Sequence, residues 1–184
     1  MNSTKPLFVD LDGTLIKEDL SHEAFFTIFK KSPIKCIFYL FIFIFLGRPY
    51  LKAKISIKFE VDLSKLKINQ HCIDYIKKAK DNHRLIYLIS GSHQLLVDQV
   101  KNQINLFHDC FGTHENFNMI GKNKIQFINN KLNIYDFDYI GNSKQDLPIW
   151  EFNKKVIYTN ASKKLEKKIK KLNIKTIKII EKFI

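Results

Sequence analysis

The sequence predicts an α/β fold with a parallel sheet. Short apolar runs alternate with amphipathic helical patterns, and one run, Leu85–Ile89, is apolar throughout, as in a strand covered on both faces. Polar residues with chemical potential fall where strands should end: Asp10, Ser90 and the run Gly141-Asn142-Ser143. Ligands of such sheets bind beyond the carboxyl ends of the strands, so one site could gather all three.

The chain opens with the apolar strand Pro6–Val9, followed by Asp10-Leu11-Asp12-Gly13-Thr14. In a strand Asp10 and Asp12 share a face, and two carboxylates that close repel unless a cation or a shared proton compensates. After a turn at Lys17-Glu18-Asp19, either Asp19 or Ser21 can cap a helix through Ala24, Phe25, Ile28 and Phe29. Ser32-Pro33 restarts a helix, with proline in the first turn.

Ile37–Leu46 is an unbroken apolar run rich in phenylalanine, closed by Gly47, Arg48 and Pro49. Counted from Ile34 it makes a helix of roughly 20 Å, whereas a membrane span needs about 20 residues. It does not span. It is either a helix buried all round or one lying in a membrane interface, with Lys30, Lys31, Lys35 and Arg48 at its ends. A chain this small has little room to bury a helix on every side, which tilts the balance towards membrane or partner contact.

Ile55, Ile57, Phe59, Val61 and Leu63 alternate with polar residues, a strand-like period. Asn69 can cap a helix whose apolar face is Cys72, Ile73, Ile76 and Ala79, ending at Asp81-Asn82. The Leu85–Ile89 strand finishes in Ser90-Gly91-Ser92, and a helix follows through Leu95, Leu96, Val97 and Val100. Beyond it come strands at Cys110–Thr113 and Tyr139–Gly141 around a helix from Lys122 to Asn130. A strand at Val156–Thr159, a basic helix from Ser162 to Leu172 and an apolar run at Ile177–Ile180 complete the chain.

With 184 residues there is room for one core plus a small insert. The net charge of +13 is partly local, because eleven lysines face two glutamates between Lys154 and Ile184. That tail is either a solvated helix face or a surface for phosphates and anionic lipid. Nucleic-acid binding has little support, since the aromatic residues lie away from these lysines. Cys36, Cys72 and Cys110 are widely spaced and odd in number, which argues against disulfides or a zinc site. With no secretory leader, a cytoplasmic setting is expected, with peripheral contact at the inner face of a membrane if the apolar run touches lipid.

Taken together, these residues resemble the haloacid dehalogenase superfamily of phosphohydrolases. The match is Asp10-Leu11-Asp12-Gly13-Thr14 after a strand, Ser90 after a second strand, the lysines near Gly121-Lys122-Asn123-Lys124, and Gly141-Asn142-Ser143-Lys144-Gln145-Asp146 after a later strand. The last motif with Leu147-Pro148-x-Trp150, and the apolar run, look like the phosphatase-like domain fused to UbiA-type membrane prenyltransferases. This chain would then be a stand-alone version or a first domain.

The resemblance implies a Rossmann-like core in 1–19 and 85–184, with an inserted, mostly helical cap at 20–84. It implies Asp10 as nucleophile and Asp12 as general acid–base. Backbone groups of Leu11–Gly13, with Thr14, Ser90, Gly91 and a lysine, would hold the phosphoryl oxygens. Magnesium would be held by Asp10, the main-chain oxygen of Asp12, and Asn142 or Asp146 of the last motif. The sequence departs from the family pattern twice. Position 142 is Asn where an acid is usual, and an amide oxygen ligates magnesium without charge. The usual lysine position holds Ile120, so Lys122 or Lys124 must serve, Lys124 being preferred.

A greasy cap implies a substrate with a lipid part, so the expected activity is hydrolysis of a lipid-linked or sugar phosphate at a membrane surface. The rival expectation is a catalytically weak module that binds a phosphorylated ligand or a prenyltransferase-like partner. His22 and His93 are read as ordinary helix-start histidines and Trp150 as packing.

Overall fold

Six strands form one parallel sheet: β1 (Leu7–Val9), β2 (Ile86–His93), β3 (Asp109–Thr113), β4 (Asp138–Gly141), β5 (Lys155–Tyr158) and β6 (Lys175–Lys178). Their order is β3-β2-β1-β4-β5-β6. The computed structural model describes residues 5–184, apart from the side chains of residues 33, 35, 36, 38, 40, 48 and 49. The expectations attached to Lys35, Cys36 and Arg48 therefore lie outside the described residues.

Strand order reverses beside β1, because β2 and β3 lie on one side of it and β4 to β6 on the other. At such a switch point the flanking connections diverge and leave a crevice above the strand ends. The fold thus puts Asp10, the residue after β1, at the floor of a crevice.

Alternation along the strands feeds two cores. Leu7 and Val9 join Leu88 and Ile140 in a cluster with the apolar faces of α3 (Gln70–Asp81) and α4 (Gln94–Gln103). Phe8 points the other way and packs with Tyr87, Tyr139 and Trp150 against α5 (Lys122–Leu132), α6 (Leu147–Asn153) and α7 (Lys163–Lys171). Trp150 is fully buried, as packing requires; the helix α6 that carries it was not anticipated. Cys72 and Cys110 are buried and free.

The insert between β1 and β2 begins with α1 (Leu20–Lys31), capped by Asp19, whose side chain accepts from the His22 N–H. It continues with α2 (Pro33–Ser56). Gly47 sits inside α2 at φ 83°, ψ 178°, a non-helical conformation that glycine adopts readily, so α2 is two helical segments meeting at a kink. These helices have a small core of their own around Ala24, Ile28, Tyr39, Ile42 and Ile55. Among the described residues no helix is long and apolar enough to cross a membrane.

Two expectations change here. Helix α3 falls within 20–84, yet its buried face belongs to the sheet core, so by packing the cap closes near Phe59. The alternating stretch from Ile55 to Leu63 forms no sheet strand. Ile55 lies in the last turn of α2, and the backbone from Phe59 to Leu63 bonds to two glutamines one turn apart on α4. Gln99 accepts from Val61 N–H at 2.7 Å, and Gln103 donates to Val61 O at 2.8 Å. The period of two does not hold through the stretch, because Ile57 is 65% exposed while Ser56 is buried; from Phe59 to Leu63 side-chain amides, rather than a neighbouring strand, satisfy the backbone.

Candidate functional site

A cavity of about 570 Å³ lies above the end of β1, between the sheet and the cap. Asp10, Asp12, Lys124, Asn142 and Asp146 form its floor, while Phe25, Phe43, Leu51 and Ile55 of α1 and α2 form an apolar wall.

Asp10 is 7% exposed, and Lys124 Nζ donates to its Oδ1 at 2.7 Å. Lys124 is buried, in the first turn of α5, and Gly121 opens that helix. Lys122 is exposed on the outer side of the same turn. Of the two lysines the sequence left open, Lys124 alone meets the aspartates. Thr14 Oγ1 donates to Asp10 Oδ2 at 3.3 Å, so it supports the carboxylate rather than facing the cavity.

Lys124 also donates to Tyr139 Oη at 2.7 Å, and Tyr139 donates to Asp146 Oδ1 at 2.8 Å. Asp146 Oδ2 accepts from the N–H groups of Asn142 and Ser143 and from Ser143 Oγ. A buried chain of hydrogen bonds therefore joins Asp10, Lys124, Tyr139 and Asp146. Tyr139 was missed as a site residue. Its signal was its place two residues before Gly141, which puts both on one face of β4. Gly141 must lack a side chain, because a Cβ there would lie 2.6 Å from Asp146 Oδ2.

Asp12 is held differently. Its Oδ1 accepts from the Leu20 N–H at 2.9 Å, and its Oδ2 accepts from Ser90 Oγ and Ser92 Oγ, each at 2.8 Å. Ser90, expected on the phosphate, is instead committed to Asp12 and does not line the cavity. Ser92, which was not singled out, lines it and reaches Ser21 of the cap at 3.2 Å. The strand β2 runs on to His93, so alternation puts Ser90 and Ser92 on one face. Leu11 is fully buried, leaving only its backbone for any ligand, and the Thr14 N–H is taken by Leu11 O. Gly13 has φ 76°, and a Cβ there would strike the Asn142 amide.

The cap contributes Lys52, another residue missed by sequence reasoning. Its Nζ donates to Gly91 O at 2.6 Å and lines the cavity. No local pattern distinguishes Lys52 from its neighbour Lys54; only the turn of α2 beyond the kink decides which faces in.

The electrostatics are those of crowded acids. Burial pushes the Asp10 carboxyl up to about 7; Lys124 opposes this, and Asp146 and Asp12 add to it. Burial and then Asp19 raise Asp12, against the hydrogen bonds from Leu20, Ser90 and Ser92. Among the described residues no group of three or more His, Cys, Asp or Glu is placed to hold a metal ion. The residues lining the cavity that offer oxygen donors include Asp10, Asp12 and Asn142. They suit a hard cation that keeps most of its waters, and the unbalanced acids favour one. Asp146, with four hydrogen bonds already, adds charge rather than a free oxygen.

Solved structures of the same shape decide the fold. This is the haloacid dehalogenase hydrolase fold. A protein of unknown function from Bordetella pertussis Tohama I aligns with TM-score 0.72 at 12% identity, covering 96% of this chain and 99% of that one. A HAD-family hydrolase from Salmonella enterica serovar Typhi aligns at 0.62 and 18%, covering 96% and 69%. A substrate-bound phosphoserine phosphatase aligns at 0.60 and 14%, covering 96% and 94%. In sequence, the chain is 30% identical over 169 residues to the uncharacterized protein y4nM of Sinorhizobium fredii. That alignment covers 92% of this chain and 32% of y4nM, so the chain spans about a third of that relative's length. No protein-family model matches.

Proposed function

We propose that this chain is a magnesium-dependent phosphatase that works through an aspartyl phosphate. The observation that carries the reading is the pair of buried acids two residues apart, one bonded to a lysine and the other to two serines. The fold shared with phosphoserine phosphatase supports it.

In this reading Asp10 attacks phosphorus, a P–O bond forms to its carboxylate, and the bond to the leaving oxygen breaks. Asp12 gives its proton to that oxygen; its raised pKa keeps the proton available. Asp12 then takes a proton from water, the water oxygen bonds to phosphorus, and Asp10 departs as carboxylate. Lys124 neutralises Asp10 before attack and holds a phosphoryl oxygen as charge redistributes. Asp10, the Asp12 main chain and Asn142 would hold magnesium, which supplies further charge neutralisation at the phosphoryl group. The apolar cap points to a lipid-linked or sugar phosphate at the inner face of a membrane.

The second reading keeps the same pocket without turnover: a module that binds a phosphorylated ligand or a prenyltransferase-like membrane partner. Asn142 in place of an acid favours it. Hydrolysis of an aryl phosphate, with and without magnesium, by the native chain and by Asp10→Asn, separates the two. Magnesium-dependent turnover lost in Asp10→Asn is expected. Its absence on that reagent and on a panel of phosphometabolites would overturn the phosphatase reading in favour of the binding module.

A further inference from the structure

Helix α2 has two apolar faces before its kink. Tyr39 and Ile42 turn inward to the cap core, while Ile37, Phe41, Ile44 and Phe45, at i, i+4, i+7 and i+8, turn outward. Phe45 is 75% exposed and Ile44 64%. Phe41 and Phe45 stack on each other with ring centroids 6.1 Å apart, and Phe26 and Phe29 of α1 are exposed as well. A helix apolar all round is ordinarily covered on every side.

The charge around this face selects what covers it. From Ala24 to Phe59 the sequence has six lysines and one arginine and no acid at all. Lys30 and Lys31 are exposed at the end of α1. Exposed apolar rings with the exposed Lys30 and Lys31 next to Phe29 in the chain are complementary to an anionic bilayer, whose headgroups meet the lysines while the rings enter the acyl boundary.

One residue joins this face to the cavity. Phe43 is 40% exposed and also lines the cavity, next to the apolar wall of Phe25, Leu51 and Ile55. We infer that the outer face of α1 and α2 docks on an anionic bilayer. An amphiphilic phosphate monoester then enters sideways past Phe43, its hydrocarbon along that wall and its phosphate at Asp10. The docking stands on the cap alone; the substrate class rests on the phosphatase reading.

Sedimentation of the native chain with phosphatidylcholine vesicles, with and without phosphatidylglycerol, tests the docking. The anionic vesicles should carry the protein down. Phe41→Glu/Phe45→Glu, which touches neither core nor cavity, should bind at least about tenfold more weakly, given the apolar area withdrawn. Its thermal melt and its turnover of soluble aryl phosphate should match the native chain. Native protein left in the supernatant, equal sedimentation of the double variant, or a dimer that the double variant dissociates would overturn the docking. Hexadecyl phosphate in the anionic vesicles, compared with butyl phosphate in solution, tests sideways entry. The native chain should prefer the embedded ester and the double variant should lose that preference. Turnover of butyl phosphate alone would reject the amphiphilic substrate. Turnover of none of the three phosphates would reject the phosphatase reading and leave the docking to the sedimentation result.

Discussion

Lys124 Nζ and Asp10 Oδ1 lie 2.7 Å apart, both buried, on elements separated by more than half the chain. Breaking a buried ion pair leaves one charge without compensation. Lys124→Met should lower kcat by about a hundredfold or more, the typical loss of one positioned donor at a developing charge. Lys122→Met should stay within about twofold, because its side chain is solvated. Steady-state rates on an aryl phosphate check both.

Tyr139→Phe keeps the ring in its core and deletes the hydroxyl between Lys124 and Asp146. Leaving those partners short of a buried hydrogen bond should cost about 1–3 kcal/mol. Urea unfolding should show a lower midpoint with an unchanged m-value.

Ser92→Ala removes one of two hydroxyls that favour the ionised form of Asp12. The Asp12 pKa should rise, because a donor to a carboxylate lowers it. In the pH–rate profile the limb reporting Asp12 should move to higher pH, and Ser90→Ala should move it in the same direction.

Asn142→Asp adds a third carboxylate beside Asp10 and Asp146. With a cation present the extra charge is compensated; without one it repels. The variant should need about tenfold less magnesium for half-maximal activity and should melt at lower temperature when metal-free. Metal titration and calorimetry in chelator read the two effects.

His93 supplies a pH dependence away from the acids. Its ring is 5% exposed and its Nε2 has no hydrogen bond to a described residue. Burial is the first cause that lowers its pKa below 6.5; Glu115, at 4.0 Å, opposes this, while His114 and Lys52 reinforce it. The unfolded chain therefore takes up this proton at higher pH than the folded one. The neutral ring contributes full stability above 6.5, and that contribution declines as pH falls through the window below it. The slope is at most about 1.4 kcal/mol per pH unit, and His93→Gln should flatten it in denaturant unfolding from pH 7 to 5.

Much of the fold was legible because its signals are local. Asn69 caps α3, Cys72, Ile73, Ile76 and Ala79 form its buried face, and β1 to β5 fall on or beside apolar runs, while β6 begins two residues before the expected run Ile177–Ile180. The stretch from Ile55 to Leu63 misled because its first residues end a helix, leaving Ile57 exposed, and its later backbone is satisfied by Gln99 and Gln103 from about 40 residues away, which no local period reports. Helix α6 was hidden because seven residues beginning Leu147-Pro148 carry too short a period to read.

For the site, the sequence by itself singled out the candidates: Asp10, Asp12, a lysine after Gly121, and Asp146. Motif order along strand ends is a one-dimensional property, and it survives without coordinates. Only the tertiary structure decided how they are arranged. Which lysine turns inward, that Ser90 serves Asp12, that Tyr139 bridges Lys124 to Asp146 and that Lys52 reaches in from the cap all depend on helix rotation and inter-element distance. Those quantities are set by packing between segments far apart in the chain, and no local spacing encodes them.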